Sequence, residues 1–369
     1  MKIVHFFHHF LPCTGGIEKV ILEYCRGAKK NGFTAKVVCL NKCYNSKKIL
    51  PEKETIEGIE VERLPFIDLK YYKIAFGVTR KIGDADIIHL HGLNFFSDCV
   101  LLLKPFHKKN IVLTTYGGVF HTKSLSAIKN LYFFIWSKWL LKRAERIIAI
   151  SENDFQLFSK IVPREKLVLM EIGADVEAFS KISKKTKGNT FLCLGRLAKN
   201  KGLEELLNVF RMVVEKNNNA RLLIAGKDFD GTEKRLLEMI KQNTLEKNIF
   251  LLGEISNEQV KKLLAETEFF VSASKYESFG ISAVEAMASG LIPLLSPLPT
   301  FKNFVEQEKS GFIIDFSDVE KSGKKILEIM NLNVKRKKEI SENAKKQAMK
   351  YSWGNRVQEL VKLYEKIIH

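Results

Sequence analysis

Tyr276-Glu-Ser-Phe-Gly-Ile-Ser-Ala-Val-Glu-Ala-Met-Ala-Ser-Gly290 is the stretch on which the reading of this chain turns. Ser278-Phe279-Gly280 has the composition of a turn and the run from Ile281 that of a helix. The first backbone N–H groups of such a helix lack intrahelical partners and point outward at an anion. Two acids, Glu277 and Glu285, flank this entrance. Glu277 falls in the loop beside the anion. Glu285 falls about one turn into a helix whose Ala283, Ala286 and Ala288 let a ligand or another backbone come close. One acid can then hold sugar hydroxyls and the other a ribose, with a diphosphate between them; the alternative is a plain helical surface that happens to carry two glutamates.

A second element has the same logic. Thr190-Phe-Leu-Cys-Leu-Gly195 is a short apolar run ending in glycine, and Arg196-Leu-Ala-Lys-Asn-Lys-Gly202 leads into the amphipathic segment Leu203–Val214. The spacing predicts a strand, a turn and a helix, with Arg196 and Lys201 in the turn. Arg offers a planar fork of donors and Lys a mobile point charge, a pairing suited to a diphosphate; a solvated loop is the competing reading. At the N-terminus, Lys2–Phe7 reads as a buried first strand, followed by Pro12, Gly15 and Gly16 and a helix from Ile17. Paired glycines allow close backbone approach and positive φ, but no third glycine completes the dinucleotide-binding fingerprint.

His89 and His91 alternate with Ile88 and Leu90 and share a strand face. No third ligand is evident near them in sequence, so a metal is not expected there. Asp84-Ala-Asp86 and Asp228-Phe-Asp230 spell acid pairs that could hold a divalent cation. The first precedes its strand and the second lies in a loop, and both read better as turn residues.

Together these motifs resemble the family 4 retaining glycosyltransferases (glycosyl transferases group 1), in Glu277-x7-Glu285, in Gly195-Arg196-x3-Lys201-Gly202 and in Pro12-x2-Gly15-Gly16-x-Glu18-Lys19. The resemblance implies an α/β protein with two Rossmann-like domains facing a central cleft, the GT-B fold. It implies transfer of a sugar, with retention, from a UDP- or GDP-sugar to a glycan or polyprenol-linked acceptor in cell-surface polysaccharide or glycoconjugate assembly, with no metal and no other cofactor. It gives Arg196 and Lys201 the donor diphosphate, together with the N–H groups of Phe279 and Gly280. It gives Glu277 the sugar and Glu285 the ribose, and turns the Gly15-Gly16 loop toward the donor phosphate and the acceptor. Related enzymes often carry Thr-His-Gly-Gly-x-Phe-His-Thr where this chain has Thr115-Tyr116-Gly-Gly-Val-Phe-His121-Thr122, and their first His is assigned to the donor sugar. Tyr116 stands in its place here, so His121 is the expected catalytic histidine and Tyr116 a further sugar-hydroxyl partner. A sugar-nucleotide 2-epimerase of the same architecture is the rival enzyme.

At 369 residues and 46% apolar composition the chain is long enough for two domains. The strand–helix pattern runs twice, which places domains at 1–172 and 188–350, a linker at 172–189, and a terminal helix at 351–369 packing back toward the first domain. Six cysteines with no C-x-x-C pair and no apolar leader point to the reducing cytoplasm. The net charge of +18 is spread evenly, +9 in each half, and no recognisable nucleic-acid module accompanies it; nucleic acid is not an expected partner. The segment Lys123–Arg146 mixes Leu125, Leu131, Phe133, Phe134, Trp136, Trp139 and Leu140 with Lys129, Lys138, Lys142, Arg143 and Arg146. That mixture suits a helix in a headgroup layer at the inner face of the membrane. The favoured reading buries the aromatics in the first domain and leaves the basic face open.

Overall fold

The computed structural model describes residues 1–13, 15–43, 46–69, 72–117, 126–186 and 188–368, with backbone alone at 126–128. Two compact units emerge: Met1–Gly173 with Trp353–His369, and Ala174–Ser352. Much of the stretch expected as a linker is part of the second unit. Val176–Ser180 is a helix packed against Ile281–Ala288 and Val334–Met349, and the Lys184 ammonium donates to Leu264 O at 2.6 Å and Thr267 O at 2.7 Å. Lysine-rich composition suggested a tether, but Lys184 caps the end of the helix Asn257–Glu266.

In the first unit eight strands run in the order Leu167–Leu169, Arg146–Ala149, Asn110–Thr114, Ile87–His91, Lys2–Phe6, Thr34–Leu40, Ile59–Leu64 and Lys53–Ile56. All neighbours are parallel except the last pair. Every residue of Ile87–His91 is buried, as expected of a central strand covered on both faces. The terminal helix Trp353–Ile368 packs on Gly16–Lys30. Tyr364 and Tyr24 are both buried on this side of the sheet, and Val357 fills the space that a side chain at Gly27 would need.

In the second unit six parallel strands run in the order Ile249–Leu251, Arg221–Ala225, Thr190–Leu194, Phe269–Ser272, Ile292–Leu295 and Phe312–Ile313. Its core gathers Phe191, Phe210 and Phe269, with Phe191 stacked on Phe269 at 4.7 Å. Burial of each ring contributes about 1.5–3 kcal/mol.

One finding departs from the cysteine reading. Cys13 and Cys43 are disulfide-bonded, with Cα atoms 5.4 Å apart, whereas Cys25, Cys39, Cys99 and Cys193 are free. A bridged pair is not what cysteine usage in a reducing compartment suggested. Its origin is tertiary: Lys2–Phe6 and Thr34–Leu40 are parallel neighbours, so the loops after their C-terminal ends meet although thirty residues separate the two thiols.

Candidate active site

The strand Thr190–Leu194 delivers Gly195 and Arg196 to the C-terminal end of the second sheet, and a 3₁₀ turn over Lys199–Lys201 leads to Gly202. Gly202 has φ +62°, and a Cβ there would strike the Ala273 carbonyl; glycine is required, and the helix Leu203–Lys216 follows from it. The neighbouring strand Phe269–Ser272 ends at the same level, so its loop lies alongside, and the Lys275 N–H donates to Asn200 O at 2.8 Å. This adjacency brings the Lys201 ammonium and the Glu277 carboxylate into an ion pair, each side chain less than one-fifth exposed.

Gly280 caps the helix Ile281–Ala288 in the left-handed region, at φ +91°. A Cβ at Gly280 would approach Phe301 to 2.8 Å. Phe279 is 2% exposed, its ring 5.3 Å from Phe304 and 5.6 Å from Tyr351. The Thr300 hydroxyl donates to Glu277 O at 3.3 Å. Buried aromatics thus clamp the turn from behind while its front carries Glu277 and the helix entrance. Glu285 stands half-buried on the same helix. Gly280→Ala is expected to cost about 1–3 kcal/mol of stability, the strain of a non-glycine residue at positive φ. A thermal melt checks it, since about 2–4 °C is lost per kcal/mol in a unit of this size.

The Arg196 guanidinium lies 4.7 Å above the Phe229 ring, and that ring is 68% exposed. Sequence reasoning missed Phe229. The available signal was a large aromatic between two aspartates in the loop after a strand that neighbours Thr190–Leu194. Beneath the site, burial pushes the Cys193 thiol up to about 12, with Lys201 pulling it down and Glu277 raising it, so this thiol stays protonated and unreactive. Asp228 and Asp230 are engaged by their own turn and by the neighbouring loop: Asp228 accepts from the Gly231 N–H at 3.1 Å, and Asp230 from the Thr232 hydroxyl and from the Lys199 N–H at 3.1 Å. Asp86 accepts from the Lys2 N–H at 2.7 Å, and Asp84 pairs with the Lys2 ammonium.

In the first unit a cavity of about 170 Å³ opens at the C-terminal ends of Lys2–Phe6, Ile87–His91 and Asn110–Thr114, lined by His8, His91, Asn94, Thr115 and Tyr116 among others. Open α/β sheets place ligands at this edge. Asp154 secures the loop, accepting from the Thr115 hydroxyl at 2.6 Å and the Gly117 N–H at 2.9 Å. The Tyr116 hydroxyl meets His91 Nδ1 at 3.0 Å. His121 lies outside the described residues. Gly15 is extended at φ −173° and caps the helix Gly16–Lys30, and neither Gly15 nor Gly16 has positive φ. A Cβ at Gly15 would strike the Glu18 carboxylate, which lies back against the helix entrance; the paired glycines do not serve a left-handed turn.

The sequence showed no third histidine for His89 and His91, but the structure supplies His5, in register with His89 on the adjacent strand. All three are fully buried, and burial lowers the pKa of His5 to about 3 and those of His89 and His91 well below the ordinary value. Their ring nitrogens are largely engaged. His5 Nδ1 meets His91 Nε2 at 3.0 Å, and His89 bonds Thr114 and Tyr364. A metal would have to break these bonds, so the cluster reads as a neutral hydrogen-bonded network joining the central strands to the terminal helix.

Comparison with known proteins bears on the family and the fold. Residues 14–178 match the Glycosyltransferase Family 4 family and residues 175–347 match Glycosyl transferases group 1. The GDP-mannose:cellobiosyl-diphosphopolyprenol alpha-mannosyltransferase of Xanthomonas oryzae pv. oryzae is 36% identical over 322 residues, covering 87% of this chain and 85% of that protein. Its namesake in Komagataeibacter xylinus is 27% identical over 369 residues, covering 100% and 94%. Among solved structures, sucrose-phosphate synthase from Thermosynechococcus elongatus superposes with a TM-score of 0.80 at 18% identity, covering 99% of this chain and 98% of that one. A glycosyltransferase from Rickettsia africae gives 0.77 at 17%, covering 100% and 98%. With two parallel-sheet units of the GT-B kind and near full-length relatives, the chain belongs to the glycosyl transferases group 1 family and is a glycosyltransferase.

Proposed function

We propose that this glycosyltransferase moves mannose from GDP-mannose to an oligosaccharide carried on a polyprenyl diphosphate, with retention at the anomeric carbon and without a metal. The observation that carries the reading is the 36% identity, over 85% of its length, to an enzyme named for that donor and that acceptor class. In the proposed mechanism the donor diphosphate lies against Arg196, Lys201 and the helix entrance at Phe279 and Gly280. As the glycosidic C–O bond to the diphosphate breaks, negative charge grows on the leaving oxygen, and these fixed donors stabilise it more in the transition state than in the ground state. A bond from the sugar carbon to the acceptor hydroxyl oxygen forms, and the hydroxyl proton leaves with the departing diphosphate. Glu277 orients the sugar and holds Lys201, and Glu285 accepts from the ribose hydroxyls. His121 is proposed to contact the sugar, with Tyr116 as the second candidate, and the Gly15-Gly16 entrance to face the donor phosphate and the acceptor.

Two measurements test this. Nucleoside diphosphate release is followed with GDP-mannose and with UDP-glucose, each with and without a short-chain polyprenyl diphosphate disaccharide. GDP release that requires the acceptor, with an α-linked trisaccharide as product, is expected. Preferential use of the UDP-sugar, or release and epimerisation without acceptor, would overturn it. Because Asp228 and Asp230 already accept from Gly231, Thr232 and Lys199, transfer is also expected to proceed unchanged in excess EDTA; loss of activity restored by Mn²⁺ would show that a cation binds there.

A further inference from the structure

The segment expected to bury its aromatics against the first unit does so only in part. Phe133, Leu140 and Leu141 are buried, and Phe133 packs edge-on to Phe158 at 5.3 Å. Leu131, Phe134, Ile135, Trp136 and Trp139 are 40–63% exposed. The two tryptophans are held in place rather than loose. Buried Asp98 accepts from the Tyr132 hydroxyl at 2.9 Å and takes a side-chain hydrogen bond from Trp136. Trp136 and Trp139 lie 5.6 Å apart, and the Arg143 guanidinium sits 4.1 Å over the Trp139 ring. Arg143 also donates to Leu101 O and Leu102 O at 3.1 and 2.9 Å. That bond sets beside this helix the end of Phe95–Leu102, where Leu102 is 42% exposed, and from there the chain runs on to Phe106, 83% exposed.

Charge is segregated over the same stretch. No Asp or Glu occurs between Asp98 and Glu145, whereas eight Lys and Arg do, in a chain with 42 acids. Over each half of the chain this local imbalance averages out. Lys108, Lys138 and Lys142 are exposed. Large amphipathic indoles beside exposed lysines match an anionic headgroup layer, where rings enter the acyl boundary and ammonium groups meet lipid phosphates.

We propose that the face carrying Phe134, Ile135, Trp139, Lys138 and Lys142 is a docking surface for an anionic lipid bilayer. It is compatible with a lipid-linked acceptor but does not rest on one, because the surface is complete without the acceptor. The test is flotation of the full chain with acceptor-free vesicles of phosphatidylcholine, with and without 30% phosphatidylglycerol. The wild type is expected to bind the anionic vesicles and to release as salt rises. Lys138→Glu with Lys142→Glu is expected to weaken binding by about tenfold or more. Ile135→Ser with Trp139→Ser should weaken it comparably at low salt, and melting curves check that both variants are folded. No binding by the wild type, equal binding to neutral vesicles, or binding undiminished in both folded variants would overturn the surface. So would concentration-dependent dimerisation abolished by Ile135→Ser with Trp139→Ser in a chain that ignores vesicles, since a second copy would then be the occupant. Turnover on the water-soluble short-chain acceptor is expected to persist in both variants, which separates failure of this surface from failure of the proposed reaction.

Discussion

Arg196→Ala is expected to lower kcat/KM for sugar transfer by about 100- to 1000-fold, the range for removing one fixed donor to a developing anion. Stacking on Phe229 restrains the guanidinium before any donor arrives and leaves less conformational freedom to lose on binding. Arg196→Lys keeps the charge but loses the fork and the stack, and should recover only part of the rate. Phe229→Ala leaves both charge and fork, so a loss of roughly severalfold, chiefly in donor affinity, is expected. Steady-state kinetics on the three folded variants give the ranking. Near-normal turnover by Arg196→Ala would remove this residue from the diphosphate site.

The second large effect concerns the Lys201–Glu277 pair. Lys201→Ala is expected to cost more than the loss of one cation, because the partly buried Glu277 carboxylate is left unopposed beside the diphosphate. Calorimetric titration with the nucleoside diphosphate should therefore show Lys201→Ala with Glu277→Gln binding more tightly than Lys201→Ala alone, a non-additivity that identifies coupled residues. Glu277→Gln by itself frees Lys201 and should leave diphosphate affinity equal or improved while kcat falls by about 10²-fold or more, the loss of a contact to the reacting sugar. Glu285→Gln should do the reverse, weakening the nucleoside diphosphate and raising the donor KM. Affinity lost in Glu277→Gln and kept in Glu285→Gln would exchange their roles.

What could be read from the sequence is what neighbouring residues decide among themselves. A short apolar run, a glycine turn and an amphipathic run are local events, so the strand, 3₁₀ turn and helix over 190–216 and the helix entrance at Gly280 were legible, with the basic and acidic groups they carry. The parallel α/β character followed from the alternation of such units. Other features depended on which strands lie side by side, and pairing in a parallel sheet joins residues far apart in the chain. Lys201 meets Glu277 across 76 positions, Arg196 finds Phe229 from a neighbouring strand's loop, and His5 completes the histidine cluster across 84 positions from His89. The Cys13–Cys43 bond has the same origin. The aromatic helix shows the limit most clearly. Its spacing fits an inward or an outward face equally well, and only the partners that the fold supplies, Phe158 to hold Phe133 inside and Asp98 to hold Trp136 at the surface, decide which rings face water.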